Sequence, residues 1–275
     1  MSESVRAVER SLGVLLCFSQ EDPVLSLTQI AERVGIPKST GHRLLATLES
    51  KRFVSRDHAT GNYRLGFRLI ELAALVFRHA ELERFVQPHL HRLSAECGET
   101  VDLAILDDTH VVYLQVVESA QRVRIAAEVG HRLPVFCTAT GRAFMAYLPD
   151  EQVHTILNEG LTGYTAYTRL TLPDLWAAVQ DARAQGFAMS EQEFEQDINA
   201  VAAPLLDATR YPVAVIAVVG PSYRLSCERM LLLGPVVRAT AEAIAREMGP
   251  ATLSTLIAQR IPSGHAGQTA KEVNR

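Results

Sequence analysis

Four cysteines, Cys17, Cys97, Cys137 and Cys227, are scattered over 275 residues without a CxxC pair. That spacing supports neither a disulfide framework nor a zinc site, and predicts free, mostly buried thiols. No stretch approaches the roughly 18 uninterrupted apolar residues of a membrane span. The N-terminus, MSESVRAVERS, holds acids and no apolar signal core, so a cytoplasmic protein with no membrane partner is expected. Signatures of enzyme chemistry are missing too: GxSxG, GxGxxG and the P-loop do not occur. Neither an activated serine on a strained turn nor a phosphate-cradling loop is indicated. His89 and His91 stand two apart on a helical stretch, so they point apart and make a poor metal pair. Asp107 and Asp108 read as turn residues. No catalysis, cofactor or metal is expected.

What is present is enough for packed cores, with 48% apolar residues over a length that fits one large or two modest domains. Charge is unevenly distributed. Residues 1–66 carry nine Lys and Arg against seven Asp and Glu, net +2, whereas the remaining 18 and 24 give −6. Within residues 37–68 the excess is sharper, seven bases against Glu49 and Asp57. A net acidic chain that gathers positive charge on one small segment is addressing phosphate with it.

That segment has a readable architecture. Leu27, Ile30, Ala31 and Val34 form one helical stripe, and Ser26 with Gln29 fits a capping box at its start. Gly35 suits the left-handed residue that ends the helix, and Pro37 suits the first position of a second helix. The turn between them is short, as a helix-turn-helix requires. Gly41, Leu44, Leu45 and Leu48 then face inward, leaving Lys38, Ser39, Thr40, His42, Arg43 and Thr47 outside. Residues 53–56 and 63–65 are β-prone runs around a turn with Thr60 and Gly61, and read as a hairpin wing.

Flanking elements follow the same logic. Val5, Val8, Leu12, Leu15 and Leu16 make a helical stripe wider than the winged module needs for itself. Residues 67–77 are apolar on nearly every side and predict a buried linker helix. Domains are expected at 1–66, a linker helix at 67–80, a second domain at 81–249 and a flexible tail at 250–275. In the second domain a long helix with Pro88 covers 81–97, and strands are expected at 100–106, 111–117 and 123–128 as an antiparallel meander. A loop enters at Gly130–Pro134, a helix opens near Thr138, and a further helix covers 172–185. Strands at 186–190, 200–206 and 213–220 and a closing helix at 226–248 complete an α+β domain with one curved sheet.

The run Ile30-Ala31-x-x-x-Gly35-Ile36-Pro37-Lys38-Ser39-Thr40, with Tyr63-Arg64-Leu65-Gly66, resembles the DNA-binding half of the IclR family of bacterial transcriptional regulators. Gly130-x-x-Leu133-Pro134, Thr138-Ala139-x-Gly141-Arg142-Ala143, Gly186-Phe187-Ala188-x-Ser190-x-x-Glu193, Ala202-Ala203-Pro204 and Gly220-Pro221 resemble the family's GAF-like effector-binding half. One departure is Asp197-Ile198, where the family usually has glycine before the apolar residue. The resemblance, over about residues 5–249, implies a winged helix-turn-helix joined by a linker helix to an α+β effector domain.

It also implies roles. Ser39, Thr40, His42 and Arg43, with Thr47 on the same face, would meet base edges of a double-stranded operator, while Lys38, Lys51, Arg52, Arg56 and Arg64 hold phosphates. The family's effector pocket maps onto Ala139, Thr140, Gly141, Ser190, Ala200, Ala217 and Val219, with Phe136 close by. An apolar lining with helix-start amides suits a hydrophobic or aromatic acid; Arg124 and Arg132 could add a countercharge, though exposed arginines usually do not. In the family the first helix helps hold two DNA-binding domains together; simple completion of its own core fits the stripe equally. The expected protein is a ligand-responsive regulator of a catabolic operon acting as a homodimer or a dimer of dimers. A constitutive DNA-binding protein with a merely dimerising second domain, or an enzyme targeted by its helix-turn-helix, stands as the alternative.

Overall fold

Residues 5–19, 21–76, 80–158 and 160–258 are described by the structure, a computed structural model. They fall into two compact units that part between residues 79 and 80. In the first, α1 (Arg6–Leu16) precedes α2 (Leu27–Val34). The capping box is formed: the Gln29 N–H donates to Ser26 Oγ at 3.3 Å, and the Ser26 N–H donates to Gln29 Oε1 at 2.9 Å. Gly35 ends the helix at φ 67°, in the left-handed region. α3 (Lys38–Ser50) starts one residue later than expected, with Pro37 just outside it. A Cβ on Gly41 would lie 3.2 Å from Leu27 Cδ1, so glycine lets the two helices cross closely. Strands β1 (Val54–Arg56) and β2 (Tyr63–Leu65) pair antiparallel, and Leu25 bridges Tyr63. Val14, Leu25, Ile30, Leu45, Val54 and Tyr63 form the core they share.

Two apolar faces of this unit stay open. Val5, Val8, Leu12 and Leu16 on or beside α1 are all more than half exposed, so the stripe is not spent on the module's own core. α4 (Arg68–Val76) follows the wing, and Phe67 and Ile70 at its start are 77% and 64% exposed, not buried as expected; the burial of residues 73–76 lies outside what is described.

The second unit begins with α5 (Ala80–Cys97), which carries Pro88 inside it. Then come β3 (Thr100–Asp107), β4 (His110–Val117), β5 (Arg132–Pro134), α6 (Ala139–Met145), α7 (Asp150–Asn158), α8 (Leu172–Gln185), β6 (Ala188–Glu191), β7 (Ile198–Leu206), β8 (Pro212–Pro221) and α9 (Cys227–Ala258). The six strands make one antiparallel sheet in the order β5-β4-β3-β8-β7-β6. Alternation along the strands feeds two cores. Val101, Leu103, Val201, Ala203, Ile216 and Val218 meet α5 and α9 on one face. Ala104, Ala202, Val215 and Ala217 meet α6, α7 and α8 on the other.

Four expectations are corrected. Residues 123–128 form no strand, because their carbonyls are taken by side chains: Arg224 Nη2 donates to Val123 O at 2.9 Å and Thr100 Oγ1 to Ile125 O at 3.1 Å. The third strand of the meander is Arg132–Pro134, which had been read as loop. α7 was missed, although Pro149 followed by Asp150 and Glu151 is a helix start. The helix at 226–248 does not stop before a tail; it breaks at Gly249 (φ 73°) and resumes to Ala258. The rest of the expected tail, 259–275, lies outside the described residues, as do residues 77–79 of the expected linker.

The helix α6 depends on one backbone approach. A Cβ on Gly141 would fall 2.1 Å from Val135 O and 2.4 Å from Val135 Cα, so only glycine fits. Gly141→Ala should therefore cost about 2 kcal/mol or more, lowering the thermal midpoint by several degrees; an unchanged melting curve would refute this packing.

Candidate functional site

In the first unit α3 presents the expected row outward. Lys38, Ser39, His42, Arg43 and Thr47 are exposed and Thr40 is half-buried, because Gly41 and Leu45 occupy the inward face. At the helix end Lys51 is exposed. Arg52 differs: it sits at φ 64°, and its guanidinium pairs with Glu71 of α4, which Arg68 also holds. Arg68 and Arg52 together keep the Glu71 carboxyl below its ordinary range. Arg52 is thus in a surface ion pair, its side chain still 66% exposed. On the wing Arg56 lies 5.6 Å over the Tyr63 ring, and Arg64 is exposed on β2. The turn between them is set by Asp57 Oδ1, which accepts from the Ala59 N–H at 2.8 Å. Those backbone bonds hold the Asp57 carboxyl low. Lys38, Arg43, Lys51 and Arg64 form no ion pair among the described residues and are the free cations of this surface.

In the second unit a cavity opens on the sheet face that carries α6. Tyr113 of β4, Ala200 of β7, Val219 of β8 and Ser190 of β6 line it from the sheet, Cys137–Thr140 form one wall, and Ile125–Ala127 cover it. Its volume of about 100 Å³ is of the order of the ~150 Å³ apolar cavity that accepts one benzene ring.

Of the expected pocket residues, Ala139, Thr140, Ser190, Ala200 and Val219 come together here. Phe136, Gly141 and Ala217 do not line it. Phe136 packs on the Tyr164 ring at 6.2 Å, Gly141 is pressed against Val135, and Ala217 is sealed in the sheet. Arg124 and Arg132 supply no countercharge; they pair at the surface with Glu118 and Asp107. Sequence reasoning missed Tyr113, His131, Phe194 and Glu195 and the covering strip 125–127, which pairing and loop paths bring from distant parts of the chain.

The polar groups around the cavity are accounted for unevenly. Thr138 caps α6, accepting from the Gly141 N–H at 3.1 Å and donating to Pro134 O at 3.0 Å. Among the described residues the Ala139 and Thr140 N–H groups have no protein acceptor. Burial pushes the Cys137 thiol up to about 12, which makes it an inert wall atom. Asp102 of β3 is fully buried on the cavity's side of the sheet, and neither carboxyl oxygen has a partner. Burial drives its carboxyl well above the usual range, and burial followed by Asp102 itself raises the Tyr113 phenol.

Behind α6 a buried pair fixes the wall. Arg142 Nη2 donates to both Glu193 oxygens, at 2.9 and 2.8 Å, and Nη1 donates to Met189 O. The residue after Glu193 is Phe194 of the cavity lining, so the pair ties α6 to the β6–β7 connection. No metal-holding group of His, Cys, Asp or Glu occurs among the described residues, and no helix among them is long and apolar enough to cross a membrane.

An exposed recognition helix with a basic wing, and a separate unit with a partly open, mostly apolar cavity, define a two-domain DNA-binding regulator. Residues 7–58 match the IclR helix-turn-helix domain, and residues 74–246 match the bacterial transcriptional regulator IclR C-terminal domain. The chain belongs to the IclR family of bacterial transcriptional regulators. It is similar to the transcriptional repressor IclR of Escherichia coli (strain K12), at 29% identity over 248 residues, 89% of this chain and 90% of that protein. Among solved structures it resembles the IclR transcriptional regulator of Alicyclobacillus acidocaldarius, with TM-score 0.76 and 30% identity over 90% of this chain and 100% of the other. An IclR homologue of Microbacterium hydrocarbonoxydans, solved with 4-hydroxybenzoate, shares the fold with TM-score 0.76 and 23% identity over 88% of this chain and 99% of that one.

The neutral Asp102 has a consequence for stability. With its carboxyl raised in the folded state, the unfolded chain loses that proton first, so the folded chain binds more protons above the ordinary carboxylate range. Stability then falls as pH rises from about 4 toward the raised value, by up to about 1.4 kcal/mol per unit. Asp102→Asn removes that slope, and urea melts at pH 5 and 7 should show its advantage over wild type widening. Parallel pH dependence of the two proteins would mean that Asp102 is not held neutral.

Proposed function

We propose that this protein is an effector-controlled regulator that binds a near-palindromic operator as a dimer and responds to a small carboxylic acid carrying a ring or other apolar body. The observation that carries the reading is the outward row Ser39, Thr40, His42 and Arg43 on α3, framed by the free cations Lys38, Lys51 and Arg64. In this arrangement Arg43 reads a base edge and the others, with Arg56, hold the backbone. Arg52, exposed and paired with Glu71 only at the surface, stays among the phosphate-holding residues.

A single winged module covers a short half-site, which favours two modules on one operator. The exposed stripes of α1 and of Phe67 and Ile70 are apolar surface of the kind a second copy covers. A dimer of dimers is compatible with the same surfaces. The acid reading rests on the narrow, mostly apolar cavity with unpaired Ala139 and Thr140 amides. In the Microbacterium protein a ring with a carboxylate was bound; here the same chemistry is proposed, for a catabolic operon in the cytoplasm. A cavity with unsatisfied polar groups on its walls fits ligand binding better than a unit that only dimerises.

Operator binding by variants tests the reading-head roles. Arg43→Ala should lose about 1–3 kcal/mol of discrimination at one base pair. Arg64→Ala should weaken every sequence alike and reduce the salt slope by about 0.9. An Arg43→Ala protein that ranks operator variants as the parent does would remove Arg43 from base reading. For the effector, a matching acid at 100 times its dissociation constant should stabilise the protein by about 2.7 kcal/mol; a panel of aromatic and aliphatic acids that leaves the melting curve unmoved would count against an acid effector.

A further inference from the structure

The second unit carries another depression, at the opposite end of α6 from the cavity. Cys137–Thr140 wall the cavity where the helix begins, and Tyr147 and Pro149 edge a groove just past its end. The helix between them is seven residues long, about 10 Å. Arg183 of α8 and Thr209, Arg210 and Tyr211 of the β7–β8 turn bound the groove on its other sides. It is open to solvent, and its volume of about 500 Å³ lies within the roughly 300–1,000 Å³ of small-molecule sites. No acidic side chain lines it. In residues 67–275, which carry a net charge of −6, two arginines bordering one groove run against the trend of the surface.

The turn is built to present Arg210. Asp207 Oδ1 accepts from the Thr209 N–H at 2.9 Å, the Thr209 hydroxyl at 2.8 Å and the Tyr211 N–H at 2.7 Å, and the Arg210 N–H donates to Asp207 O at 3.0 Å. Arg210 sits at φ 66°, where a residue with a Cβ persists only because the surrounding bonds over-determine it. Its guanidinium lies 5.5 Å over the Tyr147 ring and forms no ion pair among the described residues. Arg183 is fixed from another side. Its Nε donates to Ala146 O at 2.8 Å and its Nη2 to Asp150 Oδ1 at 3.0 Å, leaving Nη1 without a protein acceptor among the described residues. Asp150 is 58% exposed, so it offsets that charge only in part.

Two guanidiniums from separate elements, each with N–H groups to spare, suit an anion with several oxygens and more than one charge, whereas a monocarboxylate occupies a single fork. Two tyrosines and a proline at the rim leave room for a flat body beside that anion. We propose that this groove is a second small-molecule site that takes a phosphomonoester carrying an aromatic ring, of the mononucleotide class. Arg183 and Arg210 hold the phosphate, and the ring lies against Tyr211 and Pro149. The site is independent of what the cavity at the other end of α6 binds.

The test is equilibrium dialysis of the full chain against adenosine monophosphate, adenosine and inorganic phosphate. Wild type should bind the nucleotide at least about tenfold more tightly than either fragment, since each lacks half of the contacts. Arg210→Gly removes the guanidinium and suits φ 66° better than arginine, so the fold is kept and the nucleotide should be lost by about tenfold or more. Arg210→Lys, which keeps the charge without the fork, should fall between the two. Arg43→Ala, on the basic surface of the first unit, should bind the nucleotide as wild type does; a loss there, with Arg210→Gly unaffected, would place the nucleotide on the operator surface and overturn the proposal. Adenosine or inorganic phosphate binding as tightly as the nucleotide, or no binding of the nucleotide to wild type at millimolar concentration, overturns it as well.

Discussion

The buried Arg142–Glu193 pair is the joint on which the effector unit turns. Both residues are almost wholly withdrawn from water, at 2% and 3% exposure; Nη2 of the guanidinium meets both carboxylate oxygens and Nη1 a backbone carbonyl, while Nε is buried without a partner. Thr168 Oγ1 donates to Glu193 O at 2.7 Å and Arg169 approaches its carboxylate at 3.5 Å, so one carboxylate residue gathers α6, the loop before α8 and the β6–β7 connection. Removing one partner of such a pair typically costs about 3–5 kcal/mol because the other charge is stranded. Arg142 lies on α6 and Glu193 adjoins Phe194, so one ion pair sets the distance between opposite walls of the cavity. A site built on this joint is held in shape before any ligand arrives.

A second network serves the cover. Glu99, 1% exposed, accepts from Arg224 Nε at 2.8 Å and from Nη2 at 2.7 Å, and the same Nη2 donates to Val123 O. Thr100 holds Ile125 O, and Ser119 Oγ donates to Gly98 O at 2.6 Å. The strip over the cavity is therefore pinned by side chains from β3, the turn before it and the turn between β8 and α9. Its backbone is available to no neighbouring strand, which is why β-prone Val123 and Ile125 do not extend the sheet.

Local signals in the sequence carried most of the first unit. Ser26 and Gln29 are three residues apart, Gly35 ends what they begin, and Gly41 needs only its helix partners, so the spacing alone was sufficient. The second unit was legible where strands alternate or helices cap, as at Thr171 with Pro173 and at Gly186 (φ 78°). It was illegible where meaning lies in register. Tyr113 reaches the cavity only because the β3–β4 pairing shifts between Leu103 and Ala104, and Asp102 reads in sequence as one polar residue in a strand. Arg52 looked like a free cation because nothing in its segment forecasts Glu71, nineteen positions on. The Asp197 departure from the family pattern has a backbone answer. Asp197 sits at φ 63°, a conformation glycine favours and aspartate tolerates, and its N–H donates to Gln192 Oε1 at 3.0 Å while Ser222 N–H donates to its carbonyl at 2.7 Å.

The charge balance makes the effector side of this protein a physical problem. Residues 67–275 carry a net charge of −6, and the acid effector proposed above would have to leave water to enter a cavity whose lining includes Glu195. Arg124 and Arg132 are paired with Glu118 and Asp107 at the surface, where solvent ions screen beyond about 8 Å. Burying a bare cation in the cavity would carry its own desolvation cost and would demand a counterion whenever the site was empty. Neutral donors avoid both difficulties. The Ala139 and Thr140 amides in the cavity lining can face an anion when it is bound and cost less to leave unpaired when it is not. Asp102, sealed beneath the same sheet face without a partner, shows the opposite case: a charge there has nothing to answer it, so its carboxyl is held protonated and becomes a liability to folding at neutral pH.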